Sequence, residues 1–148
     1  MTQSFEPEAF RERGLLPPAE TLSGALGVEF LHHEAGHVIA RMPVHGPTRQ
    51  PYGAIHGGAL SALAEEVSSF GTVLGIDLDT HVAFGQEYNI SLLRTVWEGW
   101  VQAEGRAIHR GRTAWVWDIR ITDPEGRLVA VSRGTVAIRP RRTDKGAD

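Results

Sequence analysis

One stretch limits what this chain can become: residues 52–75, YGAIHGGALSALAEEVSSFGTVLG, carry its single long helical pattern. Leu60, Leu63, Ala64, Val67, Phe70, Gly71 and Leu74 recur at the spacing of one helical face turned to a core. About 18 residues at 1.5 Å each predict a helix of roughly 27 Å, enough to cross a small domain. Ser61, Glu65 and Ser69 fall at i, i+4 and i+8, a polar column beside the apolar stripe. His56-Gly57-Gly58 stands at the helix entrance, where backbone N–H groups lack partners and the helix dipole favours negative charge. The helix is expected to be buried, with Glu65 buried on it and Glu66 its contrast. A carboxylate two turns into such a helix, near a bare N-terminus that can hold an oxyanion, is a candidate hydrolytic site.

After Gly75 the period changes from 3.6 to 2. Residues 81–93, 100–109, 113–122 and 128–139 read as four long strands, with Trp115, Trp117, Ile119 and Ile121 on one face. Arg110-Gly111-Arg112 and Asp123-Pro124-Glu125-Gly126 are turns short enough to require antiparallel pairing. Before the helix, residues 27–33 and 37–42 read as two shorter strands around Glu34-Ala35-Gly36. The fold class is α+β: a long central helix wrapped by a mostly antiparallel sheet of five to six strands, its edges protected by a second subunit. Residues 1–26 form an N-terminal arm with two short helical turns, 27–139 the domain, and 140–148 a polar C-terminal tail.

At 148 residues the chain suits one domain. It has no cysteine, which excludes disulfides, thiolate catalysis and Cys-ligated zinc. A net charge of −3 gives no reason to expect a nucleic-acid partner, and no apolar run is long enough for a membrane span. The N-terminus lacks the pattern of a secretory signal, so the expected location is the cytoplasm. His32, His33, His37 and His45 crowd the first strands without His-x₃-His spacing on a helix, so no metal is expected. A Gly-x-Ser-x-Gly nucleophile turn is absent.

The segment GAIHGGALSALAEE, residues 53–66, resembles the signature of the hotdog-fold acyl-CoA thioesterases: a glycine, a His-Gly-Gly, and an acidic residue nine positions after the histidine. The resemblance spans about residues 27–139. Gln50, the run QPYGAIHGG and a glutamate at the acidic position look most like the 4-hydroxybenzoyl-CoA and 1,4-dihydroxy-2-naphthoyl-CoA branch, with phenylacetate-pathway thioesterases the nearest relatives outside it. Asn89 and Arg94 in EYNISLLR, His109 to Arg112, and DPEGRL at 123–128 extend the match. One departure concerns the acyl group: the naphthoyl-type enzymes tend to have a histidine where this chain has Leu92.

The resemblance implies roles. Glu65 would attack the thioester carbonyl, forming an acyl-enzyme anhydride, or would deprotonate a water. Gly57 would donate its backbone N–H to the oxyanion. His56 and Gln50 would position the carbonyl or the water, and Ser69 would bond the carboxylate or the water. Gly58 and the arginines Arg94, Arg110 and Arg112 would hold coenzyme A, whose phosphates suit guanidinium groups. Trp97 to Trp100 would form an interface, a lid or a core contact. Coenzyme A is then part of the substrate, with no further cofactor and no metal. The partner is a second copy, in a homodimer or homotetramer with its sites at the dimer interface. The alternatives are a short- or medium-chain aliphatic acyl-CoA thioesterase and a non-catalytic acyl-CoA-binding domain.

Overall fold

The computed structural model describes residues 7–142, so Met1 to Glu6 of the arm and the end of the tail from Thr143 lie outside the described residues. The elements run α1 (Pro7–Glu12), a 3₁₀ turn (Pro18–Glu20), α2 (Leu22–Ala25), β1 (Glu29–Glu34), β2 (His37–Pro43), a 3₁₀ turn (Gly46–Thr48), α3 (Gly57–Val73), β3 (His81–Leu92), β4 (Trp100–Arg110), β5 (Ala114–Thr122) and β6 (Leu128–Pro140). The strands form one six-stranded sheet in the order β1-β2-β4-β5-β6-β3, with every neighbouring pair antiparallel. This is the α+β hotdog architecture that the period change implied. The first strand begins two residues later than its sequence pattern suggested, because Gly27, at φ 70°, still belongs to the turn after α2.

The α3 helix lies against the sheet through Ala59, Leu60, Leu63, Ala64, Val67 and Gly71, all buried. Facing them are Val38, Ala40 and Met42 of β2, Val101 and Ala103 of β4, and Trp115, Trp117, Ile119 and Ile121 of β5. Gly71 is required here: a Cβ would run into the Trp117 ring and would lie 2.9 Å from Val38. Two polar residues share this face and are satisfied internally. Ser68 donates to the Ala64 carbonyl at 2.9 Å, and Thr72 donates to the Ser68 carbonyl at 2.8 Å while accepting from the Trp117 indole at 3.0 Å.

The β5–β6 turn closes on Asp123. Its buried carboxylate accepts from the backbone N–H groups of Glu125 and Arg127 at 3.0 and 2.9 Å and from Arg127 Nε at 2.7 Å. The two sheet edges differ. The arm packs near β1, while β3, twelve residues long, leaves one side of its backbone unpaired.

Candidate functional site

The helix start is built by His56. It caps α3, its Nδ1 accepting from the Gly58 N–H at 2.7 Å, while its carbonyl accepts from Ala59 and Leu60 at 3.0 and 3.1 Å. Of the first-turn donors this leaves the Gly57 N–H without an acceptor among the described residues. With Nδ1 accepting, the neutral His56 ring carries its proton on Nε2, and that edge is exposed. Gly58 is therefore committed to the cap. Gln50 is held in a tight turn: its side-chain oxygen accepts from the Tyr52 N–H, which leaves its amide NH₂ to offer.

Gln50, Gly57, Leu60, Leu92, Leu93 and Arg94 line a hollow of about 200 Å³ in front of this helix start. Leu92 leans on Gly57, where a Cβ would come within 2.6 Å of its Cδ1. Both Leu92 and Leu93 are more than half exposed.

Glu65 stands two helical turns further on, over the middle of β3. A Cβ on Gly85 would lie 2.5 Å from Glu65 Oε1 and 2.9 Å from the Tyr88 ring, so any larger residue would displace the carboxylate from this place. A β-bulge at Gln86 follows at once. It returns Tyr88 to the helix side, where the ring covers Gly134 and its hydroxyl shares a 2.8 Å hydrogen bond with Ser68. Burial pushes the Tyr88 phenol up; its hydrogen bonds to Ser68 and Ser69 pull the other way. Sequence reasoning passed over Gly85 and Tyr88. A glycine in mid-strand was the available signal of a close approach, but it does not say what approaches.

Three expectations change. Glu65 is exposed in the single chain, and its carboxylate accepts no hydrogen bond from the described residues; Glu66 is the half-buried one. At 100° per residue the two glutamates flank the core stripe on opposite sides. Glu65 falls over the open β3 edge and Glu66 under the arm, with Phe10, Leu16, Pro18, Thr21, Ser23, Phe30 and Phe70 around a 190 Å³ hollow. Burial raises the Glu66 carboxyl above its ordinary value, the Ser23 hydroxyl opposes this, and the Glu65 charge adds to it. Second, Ser69 interacts with the Tyr88 hydroxyl and makes no hydrogen bond to Glu65 among the described residues. Third, Arg110 and Arg112 lie away from the helix start. Arg110 donates to the Ala35 carbonyl and sits over Trp115, at the β1–β2 turn that itself bonds Gly71 near the far end of α3. That is roughly 20 Å along the helix from Gly57. Arg112 is exposed in the β4–β5 turn, and Arg94 alone of the three joins the hollow.

Trp97 is largely exposed beside a second hollow, of about 440 Å³, between residues 95–99 and the Asp123 turn. Trp100 is covered by the Arg41 guanidinium, 3.9 Å from its ring centre. No helix among the described residues is long and apolar enough to cross a membrane.

Comparison with known proteins places these features in context. Residues 52–130 match the family described as the thioesterase superfamily. The chain is 36% identical over 121 residues to 1,4-dihydroxy-2-naphthoyl-CoA hydrolase of Listeria monocytogenes, covering 82% of this chain and 98% of that one. A thioesterase of Pseudomonas aeruginosa superposes with a TM-score of 0.82 at 34% identity, covering 95% of this chain and 98% of that one. A thioesterase of Staphylococcus aureus superposes with a TM-score of 0.78 at 38% identity, over 80% and 98% of the two chains. The solved forms of the latter include one with a glutamine and one with a glutamate replaced by alanine, fifteen positions apart.

Proposed function

The chain belongs to the thioesterase superfamily and is a thioester hydrolase of the hotdog fold, and we propose that its substrate is an aryl- or related acyl-CoA, cleaved to the free acid and coenzyme A. The observation that carries this reading is the Glu65 carboxylate, seated on Gly85 without a hydrogen-bond partner beside an open strand edge, together with the unaccepted N–H of Gly57. The glutamine–glutamate spacing of the substituted Staphylococcus aureus forms equals that of Gln50 and Glu65, which supports both as site residues.

Thioester hydrolysis needs a nucleophile at the carbonyl carbon and a donor for the oxygen that becomes negative. Glu65 either attacks that carbon and expels the thiolate, leaving an anhydride that water then hydrolyses to the free acid and Glu65, or takes a proton from a water that attacks the carbon directly. On both paths a proton from that water ends on the departing thiolate, giving coenzyme A. The Gly57 N–H, at the positive end of the α3 dipole, donates to the oxyanion; His56 Nε2–H and the Gln50 amide are further donors. The carboxylate chemistry calls on no metal or redox cofactor. Arg94 stands at the mouth for a coenzyme phosphate.

Within one chain Glu65 and Gly57 are eight residues apart, roughly 12 Å along the helix axis, too far to act on one carbonyl. A second copy resolves this. Glu65 sits over Gly85 and Gly57 over Leu92, so two β3 edges paired antiparallel near Tyr88 and Asn89 would set Leu92 of one copy opposite Gly85 of the other. Glu65 of one copy then faces the helix start of its partner. The same pairing covers the β3 edge, and any part for Arg110 or Arg112 would lie at such a joint site. Work in the cytoplasm, where acyl-CoA is made and used, fits this reading.

A second reading, a short- or medium-chain aliphatic acyl-CoA substrate, is favoured by the apolar wall of Ile55, Leu60, Leu92 and Leu93. Thiol release from benzoyl-type and aliphatic acyl-CoA separates the two, and absence of turnover on both would leave a binding domain. Co-expression of Glu65→Gln and His56→Ala chains tests the joint site. Random pairing gives about a quarter of wild-type activity if each site draws on both copies, from two nearly inactive parents. Activity no higher than the parents' would rule the shared site out.

A further inference from the structure

The sequence HHEAGH at residues 32–37 has the period of a strand, then a turn. His32 and Glu34 are two apart on β1 and so share a face. Ala35-Gly36, with Gly36 at φ 83°, reverses the chain so that His37 pairs with Glu34 and Ile39 with His32. Val38, Ala40 and Met42 are the buried row of β2, which puts His37, and with it His32 and Glu34, on the outer face of the sheet. The donor atoms converge there: His32 Nε2 lies 3.4 Å and His37 Nδ1 3.5 Å from the same Glu34 oxygen. All three ligand atoms fall within 4.8 Å of one another.

Behind His37 stands a second carboxylate. Its Nε2 is 2.8 Å from Glu104 Oε1 on β4, and Arg106 holds that same oxygen at 2.5 Å. A hydrogen bond of this kind puts the imidazole proton on Nε2, fixes the ring, and leaves the Nδ1 lone pair directed at Glu34 and His32. Ligand atoms about 2.1 Å from a tetrahedral ion stand about 3.4 Å apart, the spacing seen here on two of the three edges.

We propose that His32, Glu34 and His37 bind a divalent transition-metal ion of the zinc class, with Glu104 as the outer carboxylate that orients His37. Two imidazoles and one carboxylate suit zinc, and the exposed side of Glu34 leaves the fourth position to water. The site is separate from Glu65: it lies on the outer face at the β1 end of the sheet, whereas Glu65 lies on the helix side at the β3 edge. Its effect is structural. The ion ties the β1–β2 hairpin together and, through Glu104, to β4, stabilising the fold by an amount that grows with the logarithm of free ion concentration above Kd.

Zinc titration of the tag-free, full-length protein by calorimetry, with cobalt absorption as a second probe of geometry, tests this. The expected result is one ion per chain with a tetrahedral cobalt spectrum and a melting temperature that rises with zinc. His32→Ala and His37→Ala each abolish the saturable site, and Glu104→Gln, which keeps the fold and all three ligands, weakens it about 10- to 100-fold. Absence of saturable binding in the wild-type chain would overturn the proposal. So would binding that survives His32→Ala, which would assign the ion to other histidines, or unchanged affinity in Glu104→Gln.

Discussion

Glu65 and Glu66 are neighbours on one helix, yet the two edges of the sheet give them opposite surroundings. On the β1 side the arm folds over α3, so Glu66 is dried by Phe10, Leu16, Phe30 and Phe70 and its carboxyl is pushed up. On the β3 side Glu65 is exposed and rests on a glycine, its oxygens unclaimed among the described residues. The half-buried carboxylate is thus covered by its own chain, and the exposed one faces the open β3 edge. Burial within a single chain is a poor guide to a reacting group when the site is shared.

The largest effect should come from separating the two carboxylates. Glu65→Gln removes the proposed nucleophile or base and is expected to lower kcat by about 10²-fold or more. Glu66→Gln, the same chemical change one residue on, should leave kcat within a few-fold of wild type. Steady-state thioester hydrolysis by both variants decides it, and equal losses would show that the flank of the helix does not assign the chemistry.

A smaller effect should follow from disturbing what Glu65 rests on. Gly85→Ala puts a methyl where the carboxylate and the Tyr88 ring now meet, and Glu65 must shift by a good part of an ångström. Misplacement on that scale can cost up to about 10²-fold in rate. The loss should fall on kcat, with circular dichroism unchanged, because the strand remains paired to β6. Wild-type kcat in Gly85→Ala would mean that the glycine serves only the bulge.

These contrasts mark what could be read from the sequence. The helix, the four strands after it and the Asp123 turn were legible because each rests on a local rule: a period of 3.6, a period of 2, and an Asp-Pro-Glu-Gly turn. His56, Gly57 and Glu65 were legible as a spaced motif. The surroundings of Glu65 and Glu66 were not, since both flank the apolar stripe and only the placement of the arm and of β3 tells the sides apart. Arg110 looked like a phosphate ligand; that within one chain it reaches the Ala35 carbonyl, far from Gly57, depended on a register the sequence did not show. His32, Glu34 and His37 met only once the hairpin register was known.

The smallest effect concerns the sealed side and is read in pH. The Glu66 carboxyl is raised in the folded chain, by burial first, while in the unfolded chain it ionises near its ordinary value of about 4.3. Below that pH both states are protonated and the contact with the arm is at full strength. As pH rises past it the unfolded chain releases its proton first, so the folded state binds more protons and stability falls until the raised pKa is passed. Glu66→Gln keeps the shape and cannot ionise, so this slope should vanish. Its melting temperature should match wild type at about pH 4, exceed it increasingly as pH rises, and hold a constant excess once the raised pKa is passed, where the wild-type group has to carry a charge beneath the arm. If the two proteins instead differ by a constant amount across the range, Glu66 does not titrate against the arm. The contrast between the helix flanks would then be one of packing alone.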